Sequence, residues 1–262
     1  MAIEYIPIRE KLLAGTVTLG SWIMTGNEAA AEILANAGYE WLGIDGEHTS
    51  IETDKIERLC RATHGRGPAM LVRVRECDTL AIRRALDCGA EGVIVPLVNN
   101  ADQAREAVAA AKFPPAGVRG YAFCRASNWG DDFDEFARHT NDHITVVVMI
   151  ESKEAIENID DILAVEGVDG TFVGPYDLSG SYGIPGQLQH PTVIEARRRV
   201  LDACAGAGKA AGLHIARSTP ESVEQTIDEG FTFICLGMDT VFLSTTARNT
   251  LAAARACLES RS

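Results

Sequence analysis

Short, nearly unbroken apolar runs alternate along this chain with stretches whose apolar positions fall three and four residues apart. The first pattern is that of a strand buried on both faces, the second that of an amphipathic helix. Eight strand-like runs follow, at Thr18–Ile23, Trp41–Asp45, 69–74, 92–96, 145–151, 170–174, Ala210–Ile215 and 232–237. Helix-like segments separate most of them, at 27–36, 53–62, 78–88, 100–112, 152–164 and 191–205, with another from 219 to 230 and a last one over 244–258. Their ends are punctuated as helices are. Asp78 and Thr219 are capping residues, Pro191 and Pro220 take first-turn positions, and Pro114 stops a helix. A glycine followed within two or three residues by a strand recurs at Gly38, Gly89, Gly167 and Gly230. That is the short helix-to-strand connection of a repeating βα unit.

Eight such units in about 250 residues match an α/β fold, the (β/α)8 TIM barrel, formed as a single domain by residues 1–262. A doubly wound open sheet is the rival. It would place a GxGxxG turn after an early strand, and none is present. Two connections are long, from Leu97 to Ile144 and from Gly174 through Gln189, His190 and Pro191. Long strand-to-helix loops of a barrel cover its active-site end, and both are predicted to lie there.

Composition narrows the partners. The chain has 262 residues, 46% of them hydrophobic, enough for a full core. Its formal net charge of -13 argues against nucleic acid, which needs a basic face. No apolar run approaches the ~18 residues of a membrane span. The opening residues mix charges with Pro7 and do not read as a leader. Seven cysteines without a CxxC pair read as reduced thiols of a cytoplasmic protein.

Candidate chemistry gathers where the strands end. The stretch 41–48 is apolar until it closes on Asp45, Glu47 and His48. Taken singly, Asp45 is a turn residue and His48 a helix-start residue; three ionisable groups within four positions point to an active site. A barrel would bring to the same face Trp22, Arg73, Glu151, the Gly174-Pro175-Tyr176-Asp177 turn and His214. Glu151 and Asp177 come from consecutive strands and would repel unless a cation stood between them. Oxygen-only ligands suit Mg2+ or Mn2+; the alternative is a salt bridge from Glu151 to a Lys or Arg. Arg73 interrupts an apolar run, so it needs an anionic partner, either Asp45 or Glu47 or a substrate oxygen. Backbone N–H groups near Tyr176 and Asp177 can take a carboxylate.

Together these motifs resemble the HpcH/HpaI aldolase family, the metal-dependent (class II) pyruvate aldolases of the 4-hydroxy-2-oxoheptanedioate and 2-dehydro-3-deoxyglucarate aldolase type. The resemblance runs over roughly residues 10–250 and is carried by 41–48, Val72-Arg73, 95–98, 114–120, Ile150-Glu151-Ser152 and 166–179, with weaker matches at 208–212 and 237–240. It implies the barrel and a homo-oligomer, a hexamer built as a trimer of dimers, with the last helix packed on a neighbouring subunit. It implies that Glu151 and Asp177 hold Mg2+ or Mn2+, with Co2+ a third candidate. Pyruvate would chelate the metal, Arg73 would stabilise the enolate at the 2-oxo oxygen, His48 would be the acid/base residue, and Asp87 would support His48. Asp45 belongs to the same pocket, and Arg125 falls near a family Arg that meets the aldehyde. Gly174, Tyr176, Asp177, Trp22 and His214 complete the substrate-binding set.

The implied reaction is reversible cleavage of a 4-hydroxy-2-oxo acid to pyruvate and an aldehyde. No Lys stands at a strand end, so a Schiff-base route is disfavoured. Asp87 sits about 13 Å down its helix at 1.5 Å per residue, and is predicted to act across a subunit contact if at all. Departures from the family concern the aldehyde half: Met149 where several relatives carry Gln, Tyr176 beside the metal Asp and narrowing the pocket, and His214 where relatives often have an apolar residue. The rival readings are decarboxylation of a 2-oxo diacid such as oxaloacetate, a citrate-lyase-like reaction on a CoA ester, and a barrel that binds a metabolite without turnover.

Overall fold

The structure, a computed structural model, describes residues 7–261; the part of the opening stretch before Pro7 lies outside the described residues. Eight parallel strands close on themselves in sequence order: β1 Thr18–Ile23, β2 Trp41–Asp45, β3 Ala69–Arg73, β4 Gly92–Val95, β5 Thr145–Ile150, β6 Gly170–Val173, β7 Ala210–Ile215 and β8 Phe233–Met238. This is the (β/α)8 barrel predicted from the alternation of patterns.

Alternation within each strand sorts the side chains. Leu42 and Ile44 of β2, Met70 and Val72 of β3, and Val146 and Val148 of β5 turn outward to the helices. Trp41, Leu71, Ile94, Val147, Met149, Phe172, Phe233 and Cys235 fill the interior. Four of the interior residues are large rings, packed edge to face (Trp22 with Trp41 and Phe172) or stacked (Trp41 on Phe233, centroids 4.1 Å apart). They fit because glycines face them. A Cβ at Gly20 would stand 2.1 Å from Trp41, and one at Gly43 2.5 Å from Trp22. Both lie below any real contact distance, so the barrel interior is a set of ring-into-glycine pairs.

The helices are α1 Ile8–Leu13, α2 Glu28–Asn36, α3 Thr53–Thr63, α4 Thr79–Asp87, α5 Ala101–Ala111, α6 Phe133–His143, α7 Lys153–Glu157, α8 Ile159–Leu163, α9 Pro175–Ser181, α10 Pro191–Ala207, α11 Pro220–Glu229 and α12 Asp239–Glu259. Three have no counterpart in the sequence pattern. Helix α1 is short, and it packs Ile8 and Leu12 on the interior cluster as a plug. Helices α6 and α9 sit inside the two long connections. The predicted helix over 152–164 is divided at Asn158, whose ψ of 10° leaves the helical range. The last helix starts at Asp239, before the predicted 244. Among the described residues no helix is long and apolar enough to cross a membrane.

One long connection lies elsewhere than predicted. Only residues 96–100 separate β4 from α5; the rest of the stretch, including the turn Arg125–Gly130 and α6, follows a helix and precedes β5. It therefore lies toward the amino ends of the strands, away from the site. The connection after β6, with α9 in it, does leave from the carboxyl end.

Candidate active site

Asp45 and Arg73 are register partners on β2 and β3, so both face the interior at the carboxyl end. The guanidinium is gripped from one side: Nε donates to Asp45 Oδ1 at 3.0 Å and Nη2 to Oδ2 at 2.7 Å. Such a two-point contact fixes the plane of the guanidinium. Asp45 is fully buried and its Oδ1 also accepts from the backbone N–H groups of Glu47 and His48, at 3.0 and 3.2 Å. Sequence places Asp45 in the catalytic set; in the structure its oxygens are engaged by Arg73 and the 47–48 turn. Trp22, predicted to touch substrate, is 3% exposed and lies under the guanidinium, 4.9 Å from ring centre to Cζ. It is a floor for Arg73.

Glu151 follows β5 directly and is buried. Leu97 N–H donates to its Oε1 at 2.7 Å, with Leu97 held at φ 54°. A Cβ at Gly174 would come within 2.6 Å of Oε2, so glycine leaves the space that the carboxylate uses. Burial raises the Glu151 pKa to about 7; the Leu97 hydrogen bond opposes this, and the negative charges of Glu47 and Asp177 add to it. Asp177 stands exposed in the first turn of α9. Among the described residues no Lys or Arg pairs with Glu151 or Asp177, which removes the salt-bridge alternative. No three His, Cys, Asp or Glu side chains among them converge as a closed metal cage. Two carboxylates without an ion-pair partner among the described residues, one of them buried and facing a glycine-made space, fit an open site for a hard divalent cation that takes its other oxygens from substrate and water.

Glu47 is the site residue that strand-end reading underweights. Its Oε2 is buried without an aligned hydrogen bond, 3.2 Å from Arg73 Nη1 and 3.6 Å from His48 Nε2. Burial raises its pKa against the pull of Arg73 and His48. It thus links the guanidinium to His48, whose side chain stands open to solvent at the mouth. His214 closes β7 with Nε2 3.2 Å from Gly237 O. Asp239, at the start of α12, accepts from Met24 N, Thr25 N and Thr25 Oγ1 at 2.9, 3.0 and 2.5 Å; it ties the loop after β1 to the end of β8. The Gly237-Met-Asp-Thr motif is its only signal in the sequence, while the Leu97 contact is a backbone one that no side-chain pattern carries.

Two predicted site residues, Asp87 and Arg125, are not brought into this pocket. Asp87 ends α4, at the amino rim of the barrel, and pairs with Arg119 Nη2 at 2.8 Å. Arg125 donates to the Cys88 and Cys60 carbonyls at 2.9 and 3.1 Å; it caps helix backbone because the segment carrying it runs along that rim. Tyr176 is 65% exposed and stands beside Asp177 in the first turn of α9.

The family model of HpcH/HpaI aldolase/citrate lyase matches residues 18–245. A 4-hydroxy-2-oxo-heptane-1,7-dioate aldolase of Shigella sonnei is 40% identical over 238 residues, 90% of either chain. A 2-keto-3-deoxy-L-rhamnonate aldolase of Escherichia coli is 37% identical over 91% of this chain and 89% of its own. The crystal structure of an HpcH/HpaI aldolase/citrate lyase family protein from Burkholderia cenocepacia superposes with a TM-score of 0.90 at 33% identity, covering 95% of this chain and 98% of that one.

Proposed function

This chain belongs to the HpcH/HpaI aldolase/citrate lyase family, and we propose that it is a divalent-metal-dependent carbon–carbon lyase that splits a 4-hydroxy-2-oxo acid reversibly into pyruvate and an aldehyde. The observation that carries this reading is the pairing of a guanidinium locked by Asp45 with two carboxylates, Glu151 and Asp177, that have no ion-pair partner among the described residues, on the same barrel rim. The activities named for the two relatives share the pyruvate half and differ in the aldehyde, which carries a carboxylate in one and a hydroxyl in the other.

In the cleavage direction the C4 hydroxyl loses its proton, the C3–C4 bond breaks, and its electron pair moves onto C3 and the 2-oxo oxygen as the pyruvate enolate. Arg73, whose other face is taken by Asp45, offers its remaining N–H groups where that negative charge develops. Because its plane is already fixed, little reorganisation is needed as charge appears. A divalent ion bound by Glu151 and Asp177, Mg2+ or Mn2+ and less favoured Co2+, would supply Lewis-acid polarisation of the 2-oxo group. His48, exposed and 3.6 Å from Glu47, would move the hydroxyl proton. The N–H groups of Tyr176 and Asp177 in the first turn of α9, next to Gly174, suit the substrate carboxylate.

The same reading extends to the assembly. Helix α12 exposes Leu243, Leu251 and Leu258, which supports its packing on a neighbouring subunit in a homo-oligomer, a hexamer arranged as a trimer of dimers. Asp87 and Arg125, remote from their own pocket, then belong to a contact with a neighbour. Small-molecule partners, with no nucleic acid or membrane, and a cytoplasmic setting fit the acidic charge and reduced thiols.

The direct test is exchange of the pyruvate methyl protons in D2O, followed by NMR. Exchange is expected with Mg2+ or Mn2+ and its loss with EDTA. No exchange under either metal overturns the lyase reading and turns attention to oxaloacetate decarboxylation and CoA esters.

The raised Glu151 pKa adds a pH signature. With its carboxyl near 7 in the metal-free protein, Glu151 is protonated below that value and must release the proton to bind a cation. Metal Kd is expected to weaken about tenfold per pH unit below 7 and to level off above it, with about one proton released per ion at acid pH. Calorimetry in two buffers of different ionisation enthalpy reads both. A Kd flat from about pH 6 to 8 would remove Glu151 as the coupled ligand.

A further inference from the structure

The loop between β4 and α5 holds a residue in a conformation that its own side chain does not explain. Leu97 has φ 54°, a region that residues other than glycine seldom occupy. It is 55% exposed, so burial of the leucine does not account for that φ. What the conformation achieves is local: the Leu97 N–H reaches Glu151 Oε1 at 2.7 Å. Glu151 Oε2 makes no hydrogen bond among the described residues and does not belong to the buried unpartnered atoms. It faces the space left by Gly174. One oxygen of the carboxylate is held, and the other is left for a cation.

A backbone outlier persists only where its surroundings over-determine it. Two residues further on, the chain is bolted down. Asn99 accepts through Oδ1 from Ser152 Oγ, its carbonyl accepts from Asn158 Nδ2 at 2.9 Å, and its N–H donates to Gln103 Oε1 at 2.7 Å. Ser152 and Asn158 both belong to the segment that follows Glu151. Ser152 caps α7 by accepting from Ala155 N at 3.0 Å. Asn158 is where the helix predicted over 152–164 divides, and the dividing residue is the one that reaches across. The clasp thus joins the loop after β4 to the segment after β5, its neighbour in the barrel. Val98, between the outlier and the clasp, is fully buried. With Val98 in the core and Asn99 tied at three points, the Leu97 peptide has little room to turn over.

We infer that Asn99 and Asn158 are positioning residues of the cation site. Together they hold Leu97 in its left-handed conformation, so that its N–H fixes the Glu151 carboxylate with Oε2 turned to the pocket. The role rests on the lyase reading, in which Glu151 binds the metal. Both residues act through Leu97 and Glu151 and not on the substrate. Groups that orient a metal ligand in this way carry about 10–100-fold in metal affinity.

The test combines calorimetric Mn2+ titration with amide hydrogen exchange of the metal-free protein. In the wild type the Leu97 N–H is expected to exchange slowly although the side chain is exposed. Asn158→Ala should weaken Mn2+ binding about tenfold and speed exchange at Leu97, while the strand amides keep their protection. Asn99→Ala breaks the other arm of the clasp; it should match, and it guards against a folding defect in the first variant. Leu97→Gly supplies the rescue. Glycine enters the left-handed region about as readily as the right-handed one, so residue 97 no longer depends on the clasp. In that background Asn158→Ala should cost less than about threefold, a coupling that the double variant reads directly. A merely structural bond lowers Tm alike in both backgrounds and leaves the Kd where it was. An unchanged Kd or unchanged Leu97 exchange in both Ala variants overturns the clasp, and so does an equal loss of affinity in both backgrounds. Wild-type Mn2+ binding separates the two failures: with binding intact these results sink the clasp alone, and a wild type that binds neither Mn2+ nor Mg2+ sinks the lyase reading with it.

Discussion

Glu151→Gln is expected to abolish divalent-metal binding and to lower kcat/KM by about 10³ or more while the barrel stays folded. The substitution keeps the size of the side chain and a carbonyl oxygen to accept from Leu97 N–H, so the local backbone has no reason to move. What it removes is the charge that Asp177 alone does not replace. Burial already opposes ionisation of Glu151, so its loss should hold or raise thermal stability in metal-free buffer. Calorimetric metal titration, the D2O exchange rate and Tm measured together decide it. Retained metal affinity would show that the cation site lies elsewhere.

Arg73→Ala is expected to leave metal affinity within a few-fold of wild type and to lower kcat by about 10² to 10³, the range seen when one oxyanion donor is lost. The same fall should appear in the pyruvate exchange rate, since Arg73 acts on the enolate and not on the aldehyde. Lysine should not rescue it: an ammonium cannot hold Asp45 at two points and face the pocket at once. A stability cost comes with the change, because Asp45 is fully buried and would lose the cation it is paired with, a loss of about 3–5 kcal/mol when one partner of a buried pair goes. The double variant Arg73→Ala with Asp45→Asn separates the two effects. It should recover much of the Tm and none of the exchange. If exchange survives Arg73→Ala, the guanidinium is structural and another group must carry the enolate charge.

The barrel is legible in the sequence because each strand is buried on both faces, which leaves near-continuous apolar runs, and because most helices end on a glycine or proline. Helices α6 and α9 are not. They lie in polar, aromatic-bearing connections whose helicity is decided by packing, as where Phe136 of α6 packs edge-on against Phe113. Arg73, Glu151, Asp177 and His214 are legible as polar residues closing apolar runs. Arg125 is misplaced because the long connection reads as one strand-to-helix loop, whereas the predicted helix at 100–112 returns the chain to the amino rim before Arg125 is reached. The role of Asp45 is half legible: a buried Arg demands a partner, but that Asp45 takes up two of its nitrogens depends on register, which a single sequence leaves open.

The ring-and-glycine pairing of the interior has a consequence for how this barrel can vary by descent. Gly20 cannot acquire a side chain while Trp41 is present, nor Gly43 while Trp22 is. Shrinking either tryptophan first would open a void costing about 3–5 kcal/mol. Each path through a single change therefore crosses an unstable intermediate, and the two partners are bound to change as a pair or not at all. Because Trp22 also underlies Arg73, that constraint reaches the catalytic rim. New specificities have their freest ground at the ends of β6 and β7 and in α9, where exposed side chains such as Tyr176 are held by no such coupling.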